Sequence, residues 1–255
     1  KAWTSHDGPF NFEGRWFHSR QVNVWPRPYQ QPHPPVWVTI GSAGSARPVA
    51  EHEYVGAVFL AGYPGIRGVF DGYRAGYLAR HGKDAPIDRL AYCGLVYVAD
   101  DEVEAKSGGE TLLWYMTANK VPVEYNNPPG YHPPALAAKI ARGNVSGAGL
   151  PLQPTLSNQM ARGNMFCGTP DQVFEQIKAI YEYSGGFGHF LMMGQAGHLT
   201  FGQTKRSMEL FSREVYPRLK ELTQSYDADA MKETRAALPD KDFTDLGTFG
   251  VEFAR

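Results

Sequence analysis

A loop of small residues, "GSAGS" at positions 41–45, has the composition in this sequence that best fits a binding role. It follows a β-branched and aromatic run at 36–40, which predicts a strand buried on both faces, and it precedes a predicted helix, "ARPVAEHE". Amides without partners and the helix dipole both favour an anion at such a helix N-terminus. The loop therefore indicates a phosphate site. It matches neither the Walker pattern nor the dinucleotide fingerprint, so an ordinary tight turn is the alternative.

The histidines give weaker evidence of a functional site than this loop does. The eight are scattered, and none belongs to a HExxH or Cys/His pattern, so we expect no metal site. The sequence also contains no nucleophile elbow. His52 lies between Glu51 and Glu53, as is typical of a solvated helix face. His198, at the carboxyl end of a predicted strand, is a candidate acid or base.

The composition limits the classes of protein to which this chain can belong. A hydrophobic content of 42% with 20% charged residues is typical of a globular chain, and no apolar run approaches membrane-spanning length. The net charge of -1 gives no electrostatic reason to expect nucleic acid. Cys93 and Cys167 are too few for a disulfide framework, so we expect reduced thiols and a cytoplasmic location. The opening "KAWTSHDG" lacks an initiator Met, so we expect further sequence upstream.

Strands and helices alternate along most of the chain, after a loop at 1–35 with one extended piece, "RQVNVW". The predicted strands are 36–42, 55–62, 89–100 and 189–195. The predicted helices are 46–52, 65–83, 101–119, 170–184 and 204–223. Such alternation predicts a parallel sheet with helices outside it.

Local signals refine the last two helices. Thr169 is the predicted N-cap of the helix at 170–184, Pro170 its first residue, and Gln172 completes a capping box. Pro217 predicts a kink in the last helix.

Two segments depart from the alternation. Residues 121–168 carry little predicted helix but are too apolar for plain disorder, so we interpret them as a long loop or lid insertion. Residues 224–255 are predicted to form a polar tail, which leaves 1–223 as the main domain.

Three stretches resemble the C-terminal part of the bacterial luciferase-like family of flavin-dependent monooxygenases. They are "FNFEGRWFHSRQVNVWPRPYQQPHPPVWVTIGSAGS", "GTPDQVFEQI" and "RSMELFSREVYPRL". The resemblance covers most of residues 8–222 and implies an α/β fold of the (β/α)8 TIM-barrel type, with flavin at the carboxyl ends of the strands. The four predicted strands match the family's fifth to eighth, so we expect only about the last four βα units here. Their apolar inner face would need a missing N-terminal half or a second copy to cover it.

The resemblance also implies a cofactor site. Gly41, Ser42 and Ser45 are the positions it assigns to the flavin phosphate. No cation in this loop is placed to neutralise that phosphate, because Arg47 already belongs to the predicted helix. In relatives the cation often comes from the fourth strand, and any general base would lie on an early strand, so the catalytic residues are not identified.

A substrate pocket is expected at the end of the last strand. Met192, Met193 and Gln195 are its candidate wall, and Tyr131 from the long segment is a candidate closing residue. Simple packing against neighbouring helices is the alternative for the two methionines.

The implied activity is monooxygenation of a small apolar organic substrate with reduced FMN and dioxygen, the reduced flavin being supplied by a separate flavin reductase. One alternative is an oxidoreductase that uses the deazaflavin coenzyme F420 and transfers hydride without oxygen. A partial barrel that turns over no substrate is the other.

Overall fold

The structure, a computed structural model, describes residues 2–4, 8–117, 134 and 155–239. Two units are distinguished, Lys1–Trp37 and Val38–Arg255. In the first unit, strands β1 (Phe10–Glu13) and β2 (His18–Val22) pair antiparallel. The sequence predicted only a short extended piece in this region, and the hairpin therefore adds a strand to it.

Five strands form the larger sheet. They are β3 (Trp37–Thr39), β4 (Val55–Phe59), β5 (Leu90–Val98), β6 (Met165–Gly168) and β7 (His189–Met193). Strand β5 is central, and β4, β6 and β7 each pair with it in parallel. Strand β3 lies beside β4, where the Ile40 amide donates to the Ala57 carbonyl at 2.9 Å. The predicted parallel sheet of β/α units is confirmed.

The predicted count of four units is not confirmed, because β6 is a further strand. Alternate residues of a strand direct their backbone groups to the same edge. The Cys93 carbonyl accepts from Leu60, and the Leu95 amide donates to Asn164, so β4 and the start of β6 share one edge of β5. Strand β7 occupies the other edge, since it and β4 both flank Ala91 and Cys93. Strand β6 has only four residues, and its periodic signal was too weak to be recognised within the segment that was interpreted as a lid.

Eight α-helices are described. They are α1 (Ala43–Glu51), α2 (Gly62–His81), α3 (Glu102–Thr117), α4 (Leu156–Arg162), α5 (Pro170–Ser184), α6 (Phe201–Leu210), α7 (Tyr216–Gln224) and α8 (Ala228–Ala237). A 3-10 turn, Ile87–Arg89, precedes β5, and a π-helical turn, Phe211–Val215, joins α6 to α7. None of the helices in the described ranges has the length and hydropathy needed to cross a membrane.

Local chemistry accounts for several helix ends. Gln172 Oε1 accepts from the Thr169 amide at 3.0 Å, as the predicted capping box requires, and Gly185 ends α5 with φ 81°. Pro217 has no amide to donate to the preceding turn, and the π-helical turn lies directly before it. Helix α8 corrects the prediction that the chain after residue 224 is only a polar tail, because Met231 packs against the core.

The sheet has two differently covered faces. Tyr92, Val96 and Val98 of β5 pack with α1, α2 and α5, on what we call the helix face. Leu95 and Tyr97 point to the opposite side, the open face, where α3 and α4 cover only part of the sheet. Strand β3 is not buried on both sides, which corrects the prediction for 36–40: Trp37 is 44% exposed.

Candidate functional site

The "GSAGS" loop lies at the end of β3, and all five of its residues are exposed. Ser42 is the N-cap of α1, and its Oγ accepts from the Ser45 amide at 3.1 Å. Ser45 Oγ in turn accepts from the amides of Gly41 and Ser42 at 3.2 and 3.1 Å. The two predicted serines thus form a self-contained cap, which uses three of the amides that a phosphate would need.

Two amides in this loop stay available for an external ligand. Ala43 and Gly44 occupy the first two positions of α1, where a helix has no internal acceptor for its N–H groups. Within the part of the chain that the structure describes, neither amide has a hydrogen-bond acceptor. Arg47 does not turn toward the loop, because its Nε donates to Glu51 at 3.0 Å. What this loop offers to an anion is therefore two amides and the helix dipole.

Helix α1 is held close to α2, which fixes the direction of these amides. A Cβ built on Gly72 would lie 2.5 Å from the Cα of Ala43, and one on Gly76 would lie 3.1 Å from the Cα of Arg47. Only glycine permits backbones to approach so closely. The N-terminus of α1 is therefore positioned by packing rather than by the loop alone.

The two predicted methionines separate onto opposite faces of the sheet. Met192 packs against the core of the helix face, whereas Met193 packs beside Leu95 and Leu199 on the open face. A period of two along a strand requires this separation. Only Met193 is therefore placed to contribute to a pocket on the open face.

Gln195 shapes its own loop. Its Nε2 donates to the Leu199 carbonyl at 3.1 Å and to Thr204 Oγ1 at 2.8 Å. Its Oε1 accepts from the amides of Ala196 and Gly197, both at 2.8 Å. These four bonds occupy the whole amide group, which gives this side chain a positioning role. Tyr131, the fourth predicted pocket residue, lies outside the described residues.

Aromatic side chains gather at this end of the open face, and of these the sequence analysis singled out only His198, as a candidate acid or base. His198 meets the ring of Trp114 edge to face, with centroids 4.3 Å apart, and Phe59 meets Tyr115 at 6.5 Å. Gly197, at φ 103°, brings the loop after β7 against Trp114. Phe59 could have been found from the alternation of side chains along β4: its neighbour Val58 points into the core, so Phe59 points to the other face of the sheet.

The middle of the open face is apolar and partly uncovered. The strand registers align Phe59, Cys93 and Leu191 in one row across β4, β5 and β7. Phe59 is 44% exposed and Leu191 is 37% exposed. Burial raises the pKa of the Cys93 thiol, so this group stays neutral at the centre of the row. The row forms a wall without charge.

Directly after β5, an ion pair joins Asp100 to Arg206 of α6. Arg206 donates from Nε to Asp100 at 2.9 Å, and its second nitrogen also contacts the same carboxylate. These hydrogen bonds lower the pKa of Asp100. The adjacent Ser207 Oγ, fully buried, accepts from the Val98 amide at 2.9 Å, which ties α6 to the end of β5.

A buried tyrosine joins the ends of β4 and α4. The Tyr92 hydroxyl accepts from the Gly62 amide at 3.0 Å and donates to the Gly163 carbonyl at 2.7 Å. Gly62 has φ 56°, and a Cβ there would lie 2.2 Å from the Arg162 carbonyl oxygen. The segment that leaves β4 therefore depends on Tyr92 for its position.

Solved structures with the same fold belong to redox enzymes. The monooxygenase RslO1 from Streptomyces bottropensis is 21% identical with a TM-score of 0.62, over 86% of this chain and 57% of that one. The oxygenating constituent of 3,6-diketocamphane monooxygenase from Pseudomonas putida, in complex with FMN, is 20% identical with a TM-score of 0.59 over 82% and 58%. The coenzyme F420 dependent tetrahydromethanopterin reductase from Methanopyrus kandleri is 16% identical with a TM-score of 0.54 over 83% and 58%.

These likenesses show the fold, and the chain spans somewhat under three fifths of each of the three structures. Among curated proteins, none matches the sequence. The model of one family, the luciferase-like monooxygenases, matches residues 1–186, which is more than half of the chain. The chain therefore belongs to the luciferase-like monooxygenase family.

Proposed function

We propose that this chain supplies β/α units of a flavin-dependent monooxygenase, which acts with reduced FMN and dioxygen on a small apolar organic substrate. The observation that carries the proposal is the exposed N-terminus of α1, where the amides of Ala43 and Gly44 have no acceptor among the residues that the structure describes. Family membership and the FMN complex of the Pseudomonas putida neighbour support it. That neighbour is an oxygenating constituent, which fits a separate flavin reductase.

The residues present fit a phosphate group in part. Two amides and the positive end of the helix dipole favour an anion, and the loop is open to solvent. The hydroxyls of Ser42 and Ser45 are already bonded within the cap, so their role is to hold the loop in shape. We assign the phosphate contacts to the backbone of Ala43 and Gly44, supported by Gly41, Ser42 and Ser45.

Apolar side chains would form the rest of the site. Reduced FMN, when bound, supplies the electrons that activate dioxygen. The row of Phe59, Cys93 and Leu191 offers that chemistry a wall free of charge, and Met193 extends the wall toward the strand ends. The contribution of these residues is to exclude water and to contact an apolar substrate. Both buried cysteines are free, which fits the cytoplasmic location that we propose.

Replacing Ala43 with proline tests the phosphate contact. Proline suits the first helical position, and Ser42 before it has the extended backbone (φ -154°, ψ 160°) that a following proline prefers. The variant lacks one free amide and keeps the serine cap. We expect its affinity for FMN to fall about 10- to 100-fold, since a hydrogen bond to a charged group contributes about 1.5–3 kcal/mol. Its affinity for riboflavin, which has no phosphate, should not change.

Phe201→Pro is the matched control. It places proline at the first position of α6, where Thr200 is also extended (φ -67°, ψ 159°), and Phe201 is exposed. The control should bind FMN as the wild type does. Equal affinities of the wild type for FMN and riboflavin, or an equal loss of both in Ala43→Pro, would contradict the phosphate assignment.

The second candidate is an oxidoreductase dependent on coenzyme F420. Two neighbours favour it: the Methanopyrus kandleri reductase, and an F420-dependent secondary alcohol dehydrogenase with a TM-score of 0.54 at 14% identity. Because F420 also carries a phosphate, the loop does not separate the two cofactors. Oxygen consumption does, because turnover with reduced FMN requires dioxygen whereas turnover with F420 proceeds under argon.

We also propose that a complementary β/α half covers the open face in the active protein, whether a further segment or a second copy supplies it. The exposed apolar row and the share of the neighbours that the chain spans support this. Leu191→Glu tests it by light scattering and flavin binding. The charge should weaken self-association or flavin binding. If it changes neither, the uncovered face is the functional state, and the remaining alternative, a partial barrel without turnover, gains support.

A further inference from the structure

A cavity lies on the helix face, on the other side of the sheet from the proposed flavin site. Its volume is about 170 Å³, and it opens between α5, β7, the π-helical turn and α7. Strand β7 separates the two regions, because Leu191 and Met193 point to the open face while Phe190 points into this cavity. We call it the rear cavity. The inference drawn from it is independent of the proposed function.

Aromatic rings form much of its wall. Phe190 stacks on Phe211 with centroids 6.4 Å apart and an angle of 18°, and on Phe187 at 6.3 Å and 25°. Tyr181 meets Phe187 edge to face at 5.3 Å. Leu219 completes this side from α7. Such walls favour a flat ring, which can stack on one face and present its edge to another.

One polar group in this wall lacks a partner. Tyr181 is 2% exposed, and within the described residues its hydroxyl has no hydrogen-bond partner. Burial raises the pKa of Tyr181, so the hydroxyl stays protonated and is able both to donate and to accept. Buried polar groups in proteins are almost always hydrogen-bonded, so this one requires an explanation.

The size of the cavity limits what supplies the missing bond. A cavity of about 150 Å³ lined by apolar side chains holds one benzene molecule. The rear cavity is slightly larger, and its lining includes the polar side chains of Tyr216, Lys220 and Thr223 besides the buried Tyr181, which fits a single ring that carries a hydrogen-bonding group. We propose that the rear cavity is a binding site for small monocyclic phenols, with Tyr181 as the residue that recognises the ligand hydroxyl.

Two fluorinated probes test the proposal by ¹⁹F NMR titration: 4-fluorophenol and 4-fluorotoluene, which differ in the hydroxyl. Both should bind the wild type, and 4-fluorophenol more tightly. In Tyr181→Phe, the affinity for 4-fluorophenol should fall about 3- to 10-fold, the size of one neutral hydrogen bond, while that for 4-fluorotoluene is unchanged. Removal of an unpartnered hydroxyl should leave the fold intact.

Two further variants locate the site. Leu219→Trp fills the cavity and should abolish binding of both probes, with circular dichroism as the check on folding. Tyr183→Phe, on the same helix, is the matched control: its ring contacts Arg67 instead of the rear cavity, and it should bind both probes as the wild type does.

Three results would overturn the proposal. These are no binding of 4-fluorophenol to the wild type, an equal loss of both probes in Tyr181→Phe, or undiminished binding in a folded Leu219→Trp. The first result would indicate that a trapped water molecule supplies the hydrogen bond that the Tyr181 hydroxyl lacks. If Leu219→Trp does not fold, the comparison of Tyr181→Phe with Tyr183→Phe decides the question.

Discussion

Replacing Tyr92 with phenylalanine should cost stability out of proportion to the one oxygen atom removed. The Tyr92 hydroxyl is fully buried and bonds two backbone groups, accepting from Gly62 at 3.0 Å and donating to Gly163 at 2.7 Å. Phenylalanine keeps the ring and leaves both backbone groups without their partner. A buried backbone group left unsatisfied costs about 1–3 kcal/mol, so we expect about 2–4 kcal/mol in the free energy of unfolding.

Urea denaturation followed by circular dichroism measures this loss. With a slope of about 2.5 kcal/mol per molar urea, the midpoint of Tyr92→Phe should fall by roughly 0.8–1.6 M. The loss should be local as well as global. Gly62 and Gly163 lie where the chain leaves β4 and enters β6, so hydrogen exchange of their neighbours should become faster.

Tyr181→Phe is the matched comparison, because both tyrosines are buried and only Tyr92 has partners for its hydroxyl among the described residues. Its midpoint should equal that of the wild type or exceed it slightly. A Tyr92→Phe protein within about 0.5 kcal/mol of the wild type would refute the reasoning. The two glycine segments would then hold their positions by packing alone.

Three further predictions concern packing, pH and thiol reactivity. On α2, Gly68→Ala should stabilise the protein by about 0.5–1 kcal/mol, because the added Cβ meets nothing within 4 Å. Gly72→Ala should destabilise it by about 2 kcal/mol, because the added Cβ would lie 2.5 Å from the Cα of Ala43. The urea midpoints of the two variants should therefore shift in opposite directions from that of the wild type. Since Arg206 lowers the pKa of Asp100, the stabilising contribution of that carboxylate is present above the ordinary value of 3.8 and is lost as the pH falls through the lowered one. The difference in Tm between the wild type and Asp100→Asn should therefore shrink below about pH 4, and a constant difference would count against the ion pair. Burial raises the pKa of Cys167 to about 12 and also raises that of Cys93, so a disulfide exchange reagent at pH 8 should label both thiols only after unfolding, and rapid labelling of the native protein would show that one is accessible.

The sequence predicted the long elements well, because their periodicity extends over many residues. The long continuous apolar run of β5 and the capping signals at Thr169 and Gly185 determine where these elements lie. Short elements escaped detection. Strand β6 has four residues, and its pairing with 95–98 of β5 depends on contacts across the sheet that no local pattern records.

Candidate residues were harder to assign, because their roles depend on which face a side chain takes. The sequence indicated that Met192 and Met193 lie at the end of a strand, and only the register shows that they face opposite sides. Gln195 has the right position for a pocket residue, yet its amide group is fully bonded within its own loop. At the serine loop a helix was predicted to begin at residue 46, whereas α1 begins at Ala43, and only the coordinates show that both serine hydroxyls are used in its cap.

The polar and the apolar features of the proposed site both support the proposal of a complementary half. A phosphate group carries between one and two negative charges near neutral pH, and the loop opposes them with two amides and the partial charge of a helix dipole. The nearest cation along α1, Arg47, is paired with Glu51 at 3.0 Å. On the same sheet, Phe59 and Leu191 expose apolar surface that stable folds usually cover. A segment that brings one cation and one apolar face would satisfy both, so adding such a half should strengthen flavin binding and protect Leu191 together. If flavin affinity rises while the open face stays accessible to an apolar dye, the missing cation and the missing apolar cover do not come from the same segment, and the reasoning is refuted.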